Sequence, residues 1–186
     1  QETTDQIGPD GLIYPGTCRE NPVLRETFMR DPLAPSDVTL RLDMGMACSV
    51  SGVFDRKDQA SFSETGSGPD RETGDIRFTP QEMRAAVGDA VLARRDMGTS
   101  YHLSVVVDDA AQGISHVVRG QDLFEATKIH VVLQKLLDLP TPIYHHHRLI
   151  RDEHGKRLAK RDDARAISLF RDEGASPADI RAMVGL

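Results

Sequence analysis

Apolar and polar positions are weakly patterned in the front half of the chain and strongly patterned in the back half. Residues 1–11 are polar with glycine and proline and predict a loop. Residues 21–31 have the composition of a short helix, stopped by Pro32 and Pro35. Residues 38–42 alternate apolar and polar and predict a strand, whereas residues 55–79, rich in Gly, Ser, Asp and Glu, predict a surface excursion with short strands. From Asp89 onward the signal sharpens. Residues 90–93 predict a strand. Residues 101–107 (Tyr-His-Leu-Ser-Val-Val-Val) predict another, alternating first and then continuously apolar, as for a strand entering a buried sheet. Residues 114–118 predict a third strand, ended by Arg119 and Gly120. A helix follows, with Asp122 and Glu125 spaced as a capping box and Ile129, Leu133, Leu136 and Leu137 facing the sheet. Residues 143–150 predict extended chain and residues 163–173 a helix. Ser176 and Pro177 open a last helix as N-cap and first-turn proline. Strands and helices interleave, which argues for an α/β fold.

Composition changes this picture little. The 186 residues carry a net charge of −6, which does not advertise a nucleic-acid binder, although the local field matters more than the sum. Residues 148–165 hold seven Lys/Arg against four Asp/Glu, a basic stretch in an acidic chain. No apolar run approaches the ~18 residues that span a bilayer. Two cysteines, Cys18 and Cys48, make no disulfide scaffold, and a reduced, cytoplasmic setting is expected. Cys48 lies among apolar residues and reads as a buried, inert thiol. Gln rather than Met stands first, so a processed or cut chain is expected.

Candidate chemistry begins at Arg119. An arginine at the end of an apolar strand, followed by glycine and a helix start, stands at the carboxyl edge of the sheet, where open α/β sheets bind ligands. Its planar guanidinium suits a carboxylate or phosphate, and Tyr101 could offer a phenol to the same ligand. A structural arginine capping carbonyls, beside a tyrosine packed at a strand end, fits equally well, and the residues alone leave both open. The second element, Gly155-Lys-Arg-Leu-Ala-Lys-Arg161, is a glycine-hinged basic loop able to clamp polyphosphate. The third is Tyr14-Pro-Gly-Thr-Cys18, by itself an incomplete metal site with two of the four donors that a structural zinc requires; a buried thiol at Cys18 is the commoner reading of the residues alone. His145, His146 and His147 alternate between opposite faces of an extended segment. They cannot all ligate one ion, and packing and hydrogen bonding are expected of them.

Val107-Asp-Asp-Ala110 followed by Ser115-His-Val-Val-Arg-Gly-Gln-Asp-Leu123 resembles the glutamyl branch of the class I aminoacyl-tRNA synthetases. Within that branch the chain is most similar to the glutamyl-Q tRNA(Asp) synthetases. The resemblance implies that Tyr101 and Arg119 bind the substrate glutamate. It aligns Arg157, Leu158, Ala159, Lys160 and Arg161 with the family's Lys-Leu-Ser-Lys-Ser/Arg signature loop at the ATP phosphates. Lys160 matches the catalytic lysine; Arg157 and Ala159 depart from the family's Lys and Ser. It also implies Tyr14 and Cys18 as two zinc ligands of four, with a Cys-x-Cys pair expected ahead of Gln1.

The fold implied is α/β, the second half of a Rossmann-like nucleotide-binding domain with a small inserted α+β region. Residues 1–20 would be a zinc-segment remnant, 21–88 the insertion, and 89–186 the second half with signature loop and C-terminal helices. The implied activity is ATP-dependent activation of glutamate and its transfer to the queuosine base of tRNA(Asp), with zinc, and Mg2+ accompanying ATP. A monomer is expected. The family's His-x-Gly-His motif does not occur here, so this chain alone is expected to be inactive; without the Cys-x-Cys pair it is expected to hold zinc poorly or not at all. Only 25 residues follow Arg161, too few for an anticodon-binding domain. The alternatives are a piece of a glutamyl-tRNA synthetase, or a non-catalytic RNA-binding or interaction module derived from a synthetase.

Overall fold

The computed structural model describes residues 6–9, 11–19, 21, 26, 39–94, 98–152, 154–158 and 166–185. They fall in two compact units, Gln1–His147 and Arg148–Leu186. In the first unit, β1 (Ile7–Gly8) and β2 (Gly11–Leu12) form a short antiparallel hairpin inside the stretch expected to be a loop. Most of the helix expected over residues 21–31 lies outside the described residues. β3 (Leu40–Arg41) precedes α1 (Met44–Ala47), whose N-cap Asp43 accepts from the Met46 backbone N–H. β4 (Ala60–Glu64) and β5 (Gly74–Phe78) pair antiparallel in register from Ala60–Phe78 to Glu64–Gly74. α2 (Pro80–Glu82) opens on a capping box between Thr79 and Glu82 and runs into a π-helical turn, Met83–Val87. β6 (Val91–Ala93) then pairs antiparallel with β3.

The next element corrects the sequence reading. Tyr101–Ala111 is a helix, α3, not a strand. Its Val-Val-Val run favours a strand locally, because β-branched side chains lose rotamer freedom in a helix. That preference is weak, and tertiary packing outweighs it. Ser100 caps the first turn by accepting from the Leu103 N–H, and the buried His102 and Val106 stand four apart on one face. β7 (His116–Gly120) leads through a 3-10 turn, Gln121–Leu123, into α4 (Phe124–Leu136), and β8 (Ile143–His147) closes the unit. The N-cap of α4 is Leu123 rather than the expected Asp122: a 3-10 turn takes up the entry, and the Glu125 carboxylate pairs with Lys128 at 2.7 Å. Ile129 and Leu133 are buried as expected, but Leu137 lies past the helix end and is exposed.

One four-stranded sheet organises the unit, in the order β5-β4-β8-β7. β4, β8 and β7 run parallel, and β5 is antiparallel at one edge. The segment read as a surface excursion therefore supplies an interior strand. Its low apolar content misleads because only alternate positions of β4 (Ala60, Phe62, Glu64) face inward and are buried. The sheet also takes two strands from before residue 88 and two from after it. The inward face packs on α4, with Phe62 edge-on to Phe124 at 5.8 Å and to Tyr144 at 5.4 Å. His116, Val118, His145 and His147 stand on the opposite, exposed face.

In the second unit, Arg151 and Arg157 form an antiparallel bridge, and α5 (Ile167–Asp172) and α6 (Pro177–Val184) follow. Ser176, Pro177 and Asp179 form the expected N-terminal cap of α6. Among the described residues no helix is long and apolar enough to cross a membrane.

Phe62 touches both the helix and the central strand, and its removal leaves a cavity neither can close. Phe62→Ala is expected to lower stability by about 3–5 kcal/mol in urea unfolding; a loss under about 1 kcal/mol would mean the sheet is not seated on α4 through this ring.

Candidate functional site

Three parallel strands end side by side, and each places a polar group on the inward face near its carboxyl end. Glu64 is the last residue of β4; Arg119 and His146 are the penultimate residues of β7 and β8 and lie directly opposite one another in the register. Across from them, α4 contributes Thr127 and His130, three apart on one face, and α3 contributes His102. All six are buried. Close approach of the chain after β4 demands glycine at position 66, where a Cβ would lie 2.3 Å from the His146 carbonyl oxygen.

Arg119 is the hub. Its Nε–H donates to His146 Nε2 at 3.1 Å, Nη1 to His130 Nδ1 at 3.1 Å, and Nη2 to Thr127 Oγ1 at 2.5 Å. The guanidinium carbon sits 5.0 Å from the Tyr144 ring centroid. A guanidinium donates and never accepts, so it dictates both tautomers. His146 must offer a lone pair at Nε2 and carry its proton on Nδ1, which donates to Glu64 Oε2 at 2.5 Å. His130 must offer a lone pair at Nδ1 and carry its proton on Nε2, which donates to His102 Nδ1 at 2.9 Å. Glu64 Oε1 accepts from the backbone N–H groups of Gly66 at 2.7 Å and His146 at 2.9 Å. A buried anion and a buried cation are thus joined through a neutral imidazole.

The surroundings also favour the neutral form of both imidazoles. Burial, with the nearby Arg119 charge, lowers His130 to about 2. Burial also lowers His146, and Arg119 adds to this, while the Glu64 bond opposes it. For Glu64, burial acts upward, but the hydrogen bonds from His146 and Gly66 outweigh it and hold the carboxyl below its ordinary range.

Tyr101 stands at the start of α3, not of a strand, and is 46% exposed. Its ring packs edge-on against His130 at 5.9 Å and His102 at 5.6 Å. The structure therefore brings Tyr101 and Arg119 to the same imidazole, His130. Of the three successive histidines, His146 points inward, whereas His145 and His147 are exposed. Sequence reasoning did not single out Glu64, His102, Thr127 or His130. The available signal was polar residues at positions whose neighbours in the period are apolar: Glu64 after Ala60 and Phe62, and His130 between Ala126 and Leu133 on α4.

The basic loop belongs to the second unit. Asp152 Oδ1 accepts from the backbone N–H groups of His154 at 2.9 Å and Lys156 at 2.8 Å, Gly155 adopts φ +76°, and the Leu158 N–H donates to the Ile150 carbonyl at 2.9 Å. Arg157 pairs across this turn with Arg151, and Leu158 is exposed. Ala159, Lys160 and Arg161 lie outside the described residues.

Tyr14 and Cys18 do meet: the Cys18 backbone N–H donates to the Tyr14 phenol oxygen at 2.5 Å, over a turn with Gly16 at φ +84°. Arg41 lies over the Tyr14 ring at 4.7 Å. Burial raises the Tyr14 phenol above its ordinary value, while the hydrogen bond from the Cys18 backbone N–H opposes this. By donor type the two residues could supply two of the four ligands that a structural zinc requires. Among the described residues no three His, Cys, Asp or Glu side chains group to hold a metal. Cys48 is partly buried, and that burial pushes its thiol up.

Acid should attack the hub first. His130 titrates near its ordinary 6.5 when unfolded but at about 2 when folded, so only the unfolded chain takes the proton between those values. The stability it contributes is complete above pH 6.5 and falls with pH, by about 1.4 kcal/mol per pH unit from this histidine alone. Urea midpoints measured from pH 7 to 5 should decline accordingly, and less steeply in His130→Asn; identical slopes in the two proteins would exclude a buried neutral imidazole.

Residues 59–186 match the model of the catalytic domain of class I tRNA synthetases (E and Q). The chain is 57% identical over 180 residues to a glutamyl-Q tRNA(Asp) synthetase of Rhodobacter capsulatus, covering 97% of this chain and 59% of that protein. It is 37% identical over 166 residues to the protein of that name from Albidiferax ferrireducens (84% and 48% covered), and 48% identical over 169 residues to that from a Synechococcus species (90% and 47%). The chain spans about half the length of these relatives. A glutamate tRNA ligase structure from Elizabethkingia meningosepticum aligns with 84% of this chain and 25% of its own, at 20% identity and a TM-score of 0.43, too low to bear on the assignment. The family-model match covers more than half the chain, and this protein therefore belongs to the class I tRNA synthetases of the E and Q type, through their catalytic domain.

Proposed function

We propose that this chain contributes the amino-acid pocket to an enzyme that activates glutamate with ATP and transfers it to the queuosine base of tRNA(Asp). Arg119 carries the reading. Its three protein partners take one hydrogen from each guanidinium nitrogen, so each Nη keeps a second N–H that can donate to a carboxylate. The name shared by the relatives supports glutamate and tRNA(Asp) as substrates. Tyr101, against His130, would add a phenol to the same pocket.

In the proposed reaction a glutamate carboxylate oxygen attacks the α-phosphorus of ATP and pyrophosphate leaves. A queuosine hydroxyl then attacks the adenylate's carbonyl carbon, loses its proton, and AMP leaves. Arg119 orients the amino acid, and the basic loop ending in Arg157, Leu158, Ala159, Lys160 and Arg161 would neutralise charge on the ATP phosphates, Lys160 foremost. Mg2+ would accompany ATP. Tyr14 and Cys18 would provide two ligands of a structural zinc, the others coming from elsewhere in the complete enzyme.

In the complete enzyme, Arg119→Ala should reduce glutamate-dependent exchange of pyrophosphate into ATP by roughly 100-fold or more, with circular dichroism unchanged. Undiminished exchange would remove the proposed glutamate site. Zinc content of the same enzyme, measured by atomic absorption, should fall from about one ion per chain toward none in Cys18→Ala; full retention would exclude Cys18 as a ligand.

A further inference from the structure

We infer that Glu64 is a positioning residue for Arg119, acting through the imidazole of His146 to aim the guanidinium at the amino-acid substrate; the inference rests on the glutamate reading of that pocket. Arg119 requires an acceptor at His146 Nε2, and His146 offers one only while its proton resides on Nδ1. What keeps the proton there is the Glu64 carboxylate, whose Oε2 accepts it at 2.5 Å. Both carboxylate oxygens are occupied, because Oε1 accepts two backbone N–H groups at 2.7 and 2.9 Å. Glu64 is therefore surrounded by donors only, and its geometry is fixed on both sides.

This makes an isosteric change sharply disruptive. In Glu64→Gln the amide has one oxygen and one NH2. If the oxygen keeps the two backbone bonds, the NH2 faces His146 Nδ1. It can be accommodated only if the imidazole moves its proton to Nε2, where that N–H confronts the Arg119 Nε–H, donor against donor. If the amide flips, its NH2 confronts the two backbone N–H groups instead. Neither arrangement satisfies every group, and an unsatisfied buried donor is expensive. Because the second anchor, Thr127 Oγ1, also lies near His146 Nε2, at 3.2 Å, the disturbance reaches two of the three contacts that orient the guanidinium. The third contact, to His130, leads on to the imidazole of His102 and does not pass through Glu64.

The test uses the complete enzyme, with pyrophosphate exchange read against glutamate and ATP separately, and nitrogen-15 NMR of the histidine side chains. In Glu64→Gln the KM for glutamate should rise about 10- to 100-fold while that for ATP is unchanged. The His146 signals should shift from the Nδ1–H to the Nε2–H tautomer. Glu64→Asp keeps an anionic acceptor but shortens its reach, so the tautomer should persist and the glutamate KM should rise about 2- to 10-fold. It also carries the test if the glutamine variant does not fold: a glutamate KM equal to wild type would then overturn the inference, as would an unchanged glutamate KM in a folded Glu64→Gln. Loss of exchange in Arg119→Ala together with a normal glutamate KM in Glu64→Gln would overturn this inference alone. Retained exchange in Arg119→Ala would overturn the glutamate reading beneath it.

Discussion

A guanidinium buried at the end of a parallel strand cannot shed its charge, and each of its nitrogens needs a hydrogen-bond partner. Much of the first unit follows from that constraint at Arg119. The strand order β4-β8-β7 sets Glu64, His146 and Arg119 along one inward edge, so the anion reaches the cation through a single neutral ring. The helix between β7 and β8 returns over the same edge and supplies Thr127 and His130. Each acceptor is a side chain that the surrounding apolar packing holds in place, with Phe124 edge-on to the His146 ring and Tyr144 stacked beside it.

Such a polar edge is costly to build, and its retention needs a reason. Replacing a buried ion pair by apolar residues is often neutral or stabilising for a fold, so stability alone is weak grounds for keeping one. A guanidinium whose partners leave one hydrogen on each Nη is instead suited to recognition. The proposed amino-acid pocket gives the cluster that purpose: the carboxylate of the substrate would complete what the protein leaves open. The anion behind His146 keeps the cluster close to neutral before the substrate arrives, which limits the penalty of burying the arginine.

The sequence showed Arg119 as a residue of interest because it ends an apolar run and precedes Gly120 and a helix, a local pattern. It showed the outward and inward alternation of His145, His146 and His147 for the same reason, since strand periodicity is set by the backbone alone. Residues 101–107 illustrate the limit. Their valines prefer a strand, yet the cap at Ser100 and the packing of His102 and Val106 make a helix, and Tyr101 reaches the cluster from a helix start. Residues 55–79 illustrate another: their composition is that of a surface, but half of each strand faces a core built from distant elements.

What the sequence by itself determined was the class of the fold, the family, and the residues whose chemistry stands out against their immediate neighbours: Tyr14 with Cys18, Arg119, and the basic run after Gly155. Local periodicity and short motifs suffice for these, because they depend on residues a few positions apart. What only the tertiary structure decided was which groups answer Arg119. Glu64 lies 82 positions from His146, and His102 lies 28 from His130. Hydrogen-bond partners across such separations are fixed by strand order and helix placement, which no local pattern encodes.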